Sequence, residues 1–214
     1  MRKGLFITVE GGEGAGKTTA LKRIYKNLVE EGYQVVMTRE PGGIQISEEI
    51  RSIILNQEYT SMDGRTEALL YAAARRQHLV EKIIPALQDG KIVLCDRFID
   101  SSLAYQGFAR EIGIKNILTI NQFAIDEYWP DLTIYFRVEP EVGLARIAKD
   151  KAREINRLDK EGETFHKKVL EGYDQLTKMY KGRIQVVNAN EPLDSVYSNA
   201  FRLITQLLNK ANKA

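Results

Sequence analysis

The feature that most constrains this chain is a cluster of glycines near its N-terminus. Four of the six residues at positions 11–16 are glycine, and the cluster runs directly into Lys17 and Thr18. Glycine costs about 0.5 to 1 kcal/mol of backbone entropy in a helix or strand, so this density indicates a loop that something approaches closely. The spacing G-x-x-x-x-G-K-T is typical of a phosphate-binding loop (P-loop). In such loops backbone N–H groups cradle phosphate oxygens, the lysine meets the outer phosphates and the hydroxyl binds Mg²⁺.

The residues on either side predict the order strand, loop, helix. Positions 5–9 form a short apolar run rich in β-branched residues, which indicates a buried parallel strand. Positions 19–31 place apolar residues at helical spacing. A glycine turn without a ligand is the alternative, and the strand–loop–helix order favours nucleotide binding instead. The predicted ATP-binding loop consists of Gly11, Gly12, Glu13, Gly14, Ala15, Gly16, Lys17, Thr18 and Thr19.

The rest of the chain alternates strand-like and helical patterns. Strands are predicted at 5–9, 34–38, 92–95, 132–138 and 184–187. Helical patterns between them predict an α/β fold with a parallel sheet and helices on both faces. Positions 65–87 predict one long helix or two in succession, whereas 98–113 and 149–163 are expected to be irregular. The length and the 43% hydrophobic content suit a single domain spanning residues 1–214.

Composition excludes several classes of function. The net charge is only +2, from 31 basic and 29 acidic residues, so no global field points to a nucleic-acid or membrane partner. No long apolar segment or signal peptide is present, and we expect a cytoplasmic protein. Cys95, the single cysteine, is expected to be a buried packing residue. The two histidines have no partners at metal-ligand spacing, which disfavours a transition-metal site.

Charged residues follow two of the predicted strands. Asp96 ends the apolar run 92–95, a position beside a P-loop from which a carboxylate can help Thr18 to bind Mg²⁺, directly or through water. Arg97 adds a cation that suits a phosphate. An ion pair that only caps the strand is the alternative. The segment TREPGG places Glu40 at the same edge, although an ordinary Pro-Gly turn would look similar.

Tyr71 and Arg75 are four residues apart on the long predicted helix and therefore share a face. Glu67, four residues before this pair, and His78, three residues after it, lie on the same face. The pair Tyr71 and Arg75 suits a base-binding site, with one side chain stacking and the other hydrogen-bonding to a carbonyl. Simple packing of the ring under the arginine is equally consistent with the residues alone. Arg51, in SEEIRSIIL, looks by itself like a solvated arginine.

Eight segments, in order and spacing, resemble bacterial thymidylate kinase over nearly the whole chain. They are EGGEGAGKTT, TREPGG, EEIR, TEALLYAAARRQH, DRFIDSSLAYQG, NQFA, PDLTIYF and NRLDKEGETFHKKVLEGY. The resemblance implies a P-loop nucleoside monophosphate kinase with a five-stranded parallel sheet flanked by helices and a short lid at about 149–163. It also implies phosphoryl transfer from ATP·Mg²⁺ to dTMP, giving ADP and dTDP, by a homodimer.

The resemblance further assigns the acceptor site. The residues that it implies for dTMP are Glu13, Glu40, Arg51, Tyr71, Arg75, Arg97, Ser102, Tyr105 and Gln106. Tyr71, Arg75, Ser102 and Gln106 would form the thymine pocket, Tyr105 would lie near the sugar, and the remaining arginines would hold the phosphate. Thymine offers two carbonyls and one N–H, which an arginine and a glutamine amide can match. The stacking position is often phenylalanine in the family and is tyrosine here.

A further arginine is expected in the lid. Some thymidylate kinases carry a transition-state arginine in the P-loop, but Gly14 occupies that position here and Lys17 is the only cation of the loop. Arg153 and Arg157 are four residues apart, so a helical turn would project both from one face. We therefore predict the family variant with the catalytic arginine in the lid. The predicted catalytic residues are Lys17, Asp96, Arg97 and Arg153, with Arg157 binding ATP; a solvated connector is the alternative for this run.

Other functions compete with this interpretation. Another nucleoside monophosphate kinase is the nearest, and the acceptor-pocket residues count against it. A GTP-dependent switch would need an N-K-x-D guanine-binding motif, which does not occur, and the only D-x-x-G match, at positions 159–162, lies in the charged run. A transporter-type ATPase would need an L-S-G-G-Q-like segment, which is also missing.

Overall fold

The computed structural model describes residues 4–149 and 157–212 of the chain. Five strands of the described residues form one entirely parallel sheet with the order β2-β3-β1-β4-β5. The strands are β1 (Phe6–Glu10), β2 (Val35–Arg39), β3 (Ile92–Asp96), β4 (Leu132–Arg137) and β5 (Ile184–Asn188). The predicted α/β fold with a five-stranded parallel sheet is therefore confirmed, and each predicted strand lies within two residues of the observed one.

The sheet is buried at its centre because helices cover both faces. All five residues of β1 are buried, which explains why the strand is an apolar run rather than an alternating one. Two apolar cores lie on opposite faces of the sheet, one containing Phe6 and the other Ile7. Since Val9 pairs with Asp96, the carboxyl ends of β1 and β3 meet at one edge. Ligands of parallel sheets bind outside this edge.

Nine α-helices are described, with two π-helical segments and one 3₁₀ turn. The α-helices are α1 (Lys17–Glu30), α2 (Gln45–Leu55), α3 (Gly64–His78), α4 (Ile84–Gln88), α5 (Ile99–Ser102), α6 (Ile114–Ile125), α7 (Pro140–Lys149), α8 (Glu163–Met179) and α9 (Leu193–Ala211). The π-helical segment Leu79–Ile83 joins α3 to α4 without a break, so the predicted long helix is present. Pro85, which lacks a backbone N–H, follows this segment.

The expectation of an irregular stretch at 98–113 was wrong. Helix α5 and a second π-helical segment, Leu103–Ala109, occupy most of it. Its apolar side chains are buried against α8, where Gly172 permits close approach: a Cβ there would lie 3.2 Å from the Cα of Ala104. Polar residues such as Ser102 and Gln106 interrupt the apolar spacing from which a helix is predicted. Both are buried, and both line the cleft described below.

Residues 150–156 of the predicted lid, with Arg153 among them, lie outside the described residues. Helix α7 ends just before this segment, and the 3₁₀ turn Arg157–Lys160 leads from it towards α8.

Within the described ranges, no helix is long and apolar enough to cross a membrane. The same ranges contain no group of three or more His, Cys, Asp or Glu side chains that could hold a metal ion. Cys95 is buried, as predicted.

Candidate active site

A cleft of about 240 Å³ opens at the carboxyl-end edge of the sheet. Twelve of the predicted site residues line it: Glu13, Lys17, Thr18, Glu40, Arg51, Tyr71, Arg75, Asp96, Arg97, Ser102, Tyr105 and Gln106. The remaining P-loop residues and Arg157 do not line this cleft. Residues that are up to 93 positions apart in the sequence thus meet at one surface, with the P-loop on one side and the α3 residues on the other.

The glycines of the P-loop are required by the protein's own backbone as well as by a ligand. Gly11 has φ +141°, and a Cβ there would lie 2.4 Å from the carbonyl oxygen of Phe136. Gly14 has φ +68°, and a Cβ there would lie 2.1 Å from the carbonyl oxygen of Gly143 in α7. Any side chain at either position would clash with the main chain. The loop is therefore pressed against β4 and against the helix that leads into the predicted lid.

Lys17 is folded back onto the loop. Its Nζ donates hydrogen bonds to the carbonyl oxygens of Gly11, at 2.9 Å, and Gly12, at 2.8 Å. Burial lowers the pKa of the Lys17 ammonium to about 8, and the positive charge of Arg97 contributes to the decrease. The ammonium is still mostly protonated at pH 7, so a cation is held at the base of the loop where phosphates would bind.

Thr18 and Asp96 place two oxygen ligands side by side. The Thr18 hydroxyl donates to Oδ2 of Asp96 at 2.6 Å. Mg²⁺ takes oxygen ligands in octahedral geometry and usually keeps several waters, being held by one or two protein oxygens together with substrate phosphates. A hydroxyl and a carboxylate next to a P-loop fit that requirement.

Arg97 lines the cleft and contacts the P-loop. Its backbone is left-handed, with φ +68°, a conformation that costs a non-glycine residue about 1 to 3 kcal/mol and is typical of functional sites. The guanidinium donates to Oε1 of Glu13 at 2.6 Å and to the Ser101 hydroxyl at 3.2 Å. It also lies 5.1 Å from the centre of the Tyr105 ring, whose hydroxyl donates to Glu13 at 3.3 Å. The arginine is therefore held next to the P-loop. The part of the cleft lined by Tyr71, Arg75 and Gln106 is called the acceptor side below, after its predicted role.

Glu10 supports this arrangement, and the sequence analysis missed it. The carboxylate is fully buried and accepts hydrogen bonds from Phe98 N at 2.7 Å, the Ser101 hydroxyl at 2.5 Å and the Tyr173 hydroxyl at 2.9 Å. Burial, together with the charge of Asp100, raises the pKa of Glu10 to about 7. The only sequence signal was a carboxylate at the end of an otherwise apolar strand. Glu10 ties β1 to the turn that carries Arg97 and to α8.

Arg75 is the most buried cation of the acceptor side, with 2% of its surface exposed. Its guanidinium donates to Glu40 at 2.8 Å, to the Ser102 hydroxyl at 3.1 Å and to the Phe98 carbonyl at 3.0 Å, and it also bonds Asn121. Four of its five N–H donors are thus used within the described part of the chain. This network fixes the guanidinium plane and leaves one donor for the cleft.

A second buried network surrounds Glu67, which is 1% exposed. Its Oε1 accepts from Nε2 of Gln106 at 2.8 Å, while Oε2 accepts from Arg110 at 3.3 Å and from Arg157. Arg157 also donates to the carbonyl oxygen of Ile54 at 3.1 Å. The described contacts of Arg157 therefore lie on the acceptor side, and the structure does not bring it to the P-loop. Sequence spacing gave no sign of its pairing with Glu67, 90 residues away.

Tyr71 and Arg51 complete the acceptor wall. Tyr71 is half-buried, and burial raises the pKa of its hydroxyl, which therefore stays protonated. Arg51 donates to the Pro41 carbonyl at 3.2 Å and lines the cleft. An aromatic face, a buried guanidinium and an amide on one side of the cleft suit a flat heterocycle with polar edges.

Comparisons with known proteins agree with this geometry. The family model for thymidylate kinase matches residues 9–200. A thymidylate kinase of Halalkalibacterium halodurans is 62% identical over 209 residues, which cover 98% of this chain and 100% of that protein. A thymidylate kinase of Clostridium novyi is 61% identical over 197 residues, covering 92% of this chain and 96% of that protein.

A solved structure shows the same fold. The crystal structure of thymidylate kinase from Ehrlichia chaffeensis matches with a TM-score of 0.76 at 31% sequence identity, covering 94% of this chain and 98% of that one. The motifs, the sheet and the matches thus span the same region of the chain. On this evidence the chain belongs to the thymidylate kinase family.

Proposed function

We propose that this protein transfers the γ-phosphoryl group of ATP to dTMP, giving ADP and dTDP. The observation that carries the proposal is the single cleft in which a P-loop faces a pocket containing Tyr71, Arg75 and Gln106. A nucleotide-dependent switch needs only the first of these features. The second is what a kinase with a small nucleotide acceptor requires, because donor and acceptor must be held together in line.

The donor side would be served by the P-loop. Lys17 would exchange its two loop carbonyls for the outer phosphates of ATP, which bind an ammonium more strongly because they are charged. Thr18 and Asp96 would hold Mg²⁺ together with the phosphates. The ion would supply neutralisation of their negative charge.

The acceptor side would be served by cations placed in advance. Both substrates are polyanions, so their approach requires positive charge already fixed between them. Arg97 is proposed to supply this charge: it is oriented by Glu13 and Ser101, and Arg51 lines the same cleft. Arg153, outside the described residues, is proposed to complete the set from the lid. An ATP-binding role for Arg157 would require it to leave Glu67.

The proposal extends to the assembly and its location. We propose a cytoplasmic homodimer of single-domain subunits that requires Mg²⁺. Exposed apolar side chains support the dimer: Phe123 on α6 is 91% exposed and Leu69 on α3 is 55% exposed. Helices α3 and α6 pack against each other, so these side chains belong to neighbouring helices. Apolar surface of this kind is a common basis of two-fold self-association.

A panel of acceptors tests the function. ADP formation from ATP·Mg²⁺ is measured at steady state with dTMP, dUMP, dCMP, dGMP and AMP. We expect the highest kcat/KM with dTMP. A higher kcat/KM for AMP, dCMP or dGMP would show that the acceptor is that nucleotide and not dTMP. If no acceptor increased ADP formation, the kinase proposal would be overturned.

A further inference from the structure

The amide of Gln106 has a defined orientation. Its Nε2 donates to Oε1 of Glu67 at 2.8 Å, and the side chain is 1% exposed and lines the cleft. A carboxylate only accepts hydrogen bonds, so the reversed amide would bring two acceptor oxygens together. Its Oε1 has no partner among the described residues and is not one of the fully enclosed side-chain atoms that lack a partner. The amide therefore presents its carbonyl oxygen to the cleft.

The charge on Glu67 is what enforces this orientation. Arg110 and Arg157 both donate to the Oε2 atom of Glu67, the oxygen that faces away from Gln106. Two guanidinium groups that donate to one carboxylate use its oxygens as hydrogen-bond acceptors. A protonated carboxyl or a neutral amide at this position could also donate and would accept either orientation of Gln106. The two arginines thus act on the cleft through Glu67.

Two residues that line the cleft can then contribute a donor and an acceptor. Arg75 has one N–H left for the cleft after its four protein hydrogen bonds, and Gln106 contributes a carbonyl oxygen. A ring carbonyl next to a ring N–H, as in thymine and uracil, matches this pair. Cytosine presents an amino group next to a bare ring nitrogen, so both of its groups would meet a like group.

We propose that Glu67 is a positioning residue that fixes the amide orientation of Gln106 and thereby sets the preference for thymine over cytosine. This inference rests on the proposed function, since it concerns the acceptor of the same reaction. Glu67 does not line the cleft, and its hydrogen bond to Gln106 is the contact through which it would reach the base. The interaction surface that it controls is one edge of the base.

The test compares kcat/KM for dTMP and dCMP in wild-type protein and in Glu67→Gln. The neutral amide lets Gln106 turn over, so we expect the dTMP/dCMP ratio to fall by about tenfold or more. The KM for ATP is measured beside it, because Glu67 also holds Arg157, for which ATP binding was predicted. Glu67→Asp is the second variant: it keeps the negative charge beside the two arginines but withdraws the carboxylate from Gln106, and it should lower the ratio in the same direction.

A matched control and a double variant separate positioning from general damage. Glu161→Gln removes the other carboxylate bonded to Arg110, at 2.6 Å, without touching Gln106, and it should leave the ratio unchanged. In a Gln106→Leu background, Glu67→Gln should change the ratio no further, because its effect passes through the amide. Additive effects in the double variant would overturn the inference.

The outcomes also separate this inference from the proposed function. If the wild-type protein does not prefer dTMP to dCMP, the proposed function fails. If the wild type has that preference and both Glu67 variants keep it, with equal losses for the two nucleotides, then Glu67 is only structural and the inference alone fails. A selective fall in the ratio supports both.

Discussion

Replacing Glu10 by glutamine should remove a pH dependence of folding stability. Glu10 is fully buried, and its pKa is raised from 4.5 to about 7 in the folded protein. In the unfolded chain it ionises near 4.5, so between these two values the folded state binds more protons than the unfolded state. Stability therefore falls as the pH rises through this window, and the loss is complete above pH 7.

The size of the effect follows from the two pKa values. At about 1.4 kcal/mol for each unit of pKa, ionising Glu10 in its buried site lowers the free energy of unfolding by about 3 kcal/mol. In glutamine the amide oxygen can accept from Phe98 N while the amide N–H group donates to the two hydroxyls, and the side chain has no proton to lose. The wild type should thus lose about 3 kcal/mol relative to Glu10→Gln between pH 4.5 and pH 8.

Urea unfolding at pH 4.5 and pH 8 measures the difference. Using the difference between wild type and variant cancels the titration of all other groups that are unchanged. Glu30→Gln, at the exposed end of α1, is the matched control for the chemical change itself. If the difference between wild type and Glu10→Gln were the same at both pH values, Glu10 would ionise as easily in the folded protein as in the unfolded chain, and the reasoning would be wrong.

Four further predictions concern activity and assembly. Lys17→Ala should fold but lose most of its turnover, and near-normal activity would remove the P-loop lysine from the mechanism. Gln106→Ala should raise the KM for dTMP and not that for ATP; equal increases would contradict its role in the base pocket. Arg153→Ala should lower kcat by about a hundredfold or more with little change in either KM, whereas a small, salt-sensitive loss of affinity would refute its role in the lid. Light scattering at micromolar concentration should give a dimer, and a monomer would refute the proposed association.

The parts of the fold that follow from local patterns were predictable. The five strands are short apolar runs, and the P-loop has a fixed spacing, so both are visible in the sequence. The stretch 98–113 was not predictable in this way. Its helical segments carry buried polar side chains for the cleft, and these break the apolar period on which a helix prediction depends.

The hydrogen bonds of the site could not be predicted, because they join residues that are distant in the sequence. Spacing placed Glu67 and Arg75 on one face of a helix, but it could not show that Arg75 would bond Glu40 or that Glu67 would bond Arg157. The sequence also explained only one reason for the P-loop glycines, the approach of a ligand. Close approach to Gly14 comes from the carbonyl of Gly143, which no local pattern connects with the P-loop.

The central claim is that the cleft transfers a phosphoryl group between two bound nucleotides, and the fate of the γ-phosphate tests it most directly. The protein is incubated with Mg²⁺, dTMP and ATP labelled at the γ-phosphate, and the products are separated and identified. The account predicts that the label appears in dTDP, in amounts equal to the ADP formed. Label released as inorganic phosphate, whether or not dTMP is present, would contradict it and would indicate a nucleotide-hydrolysing protein instead.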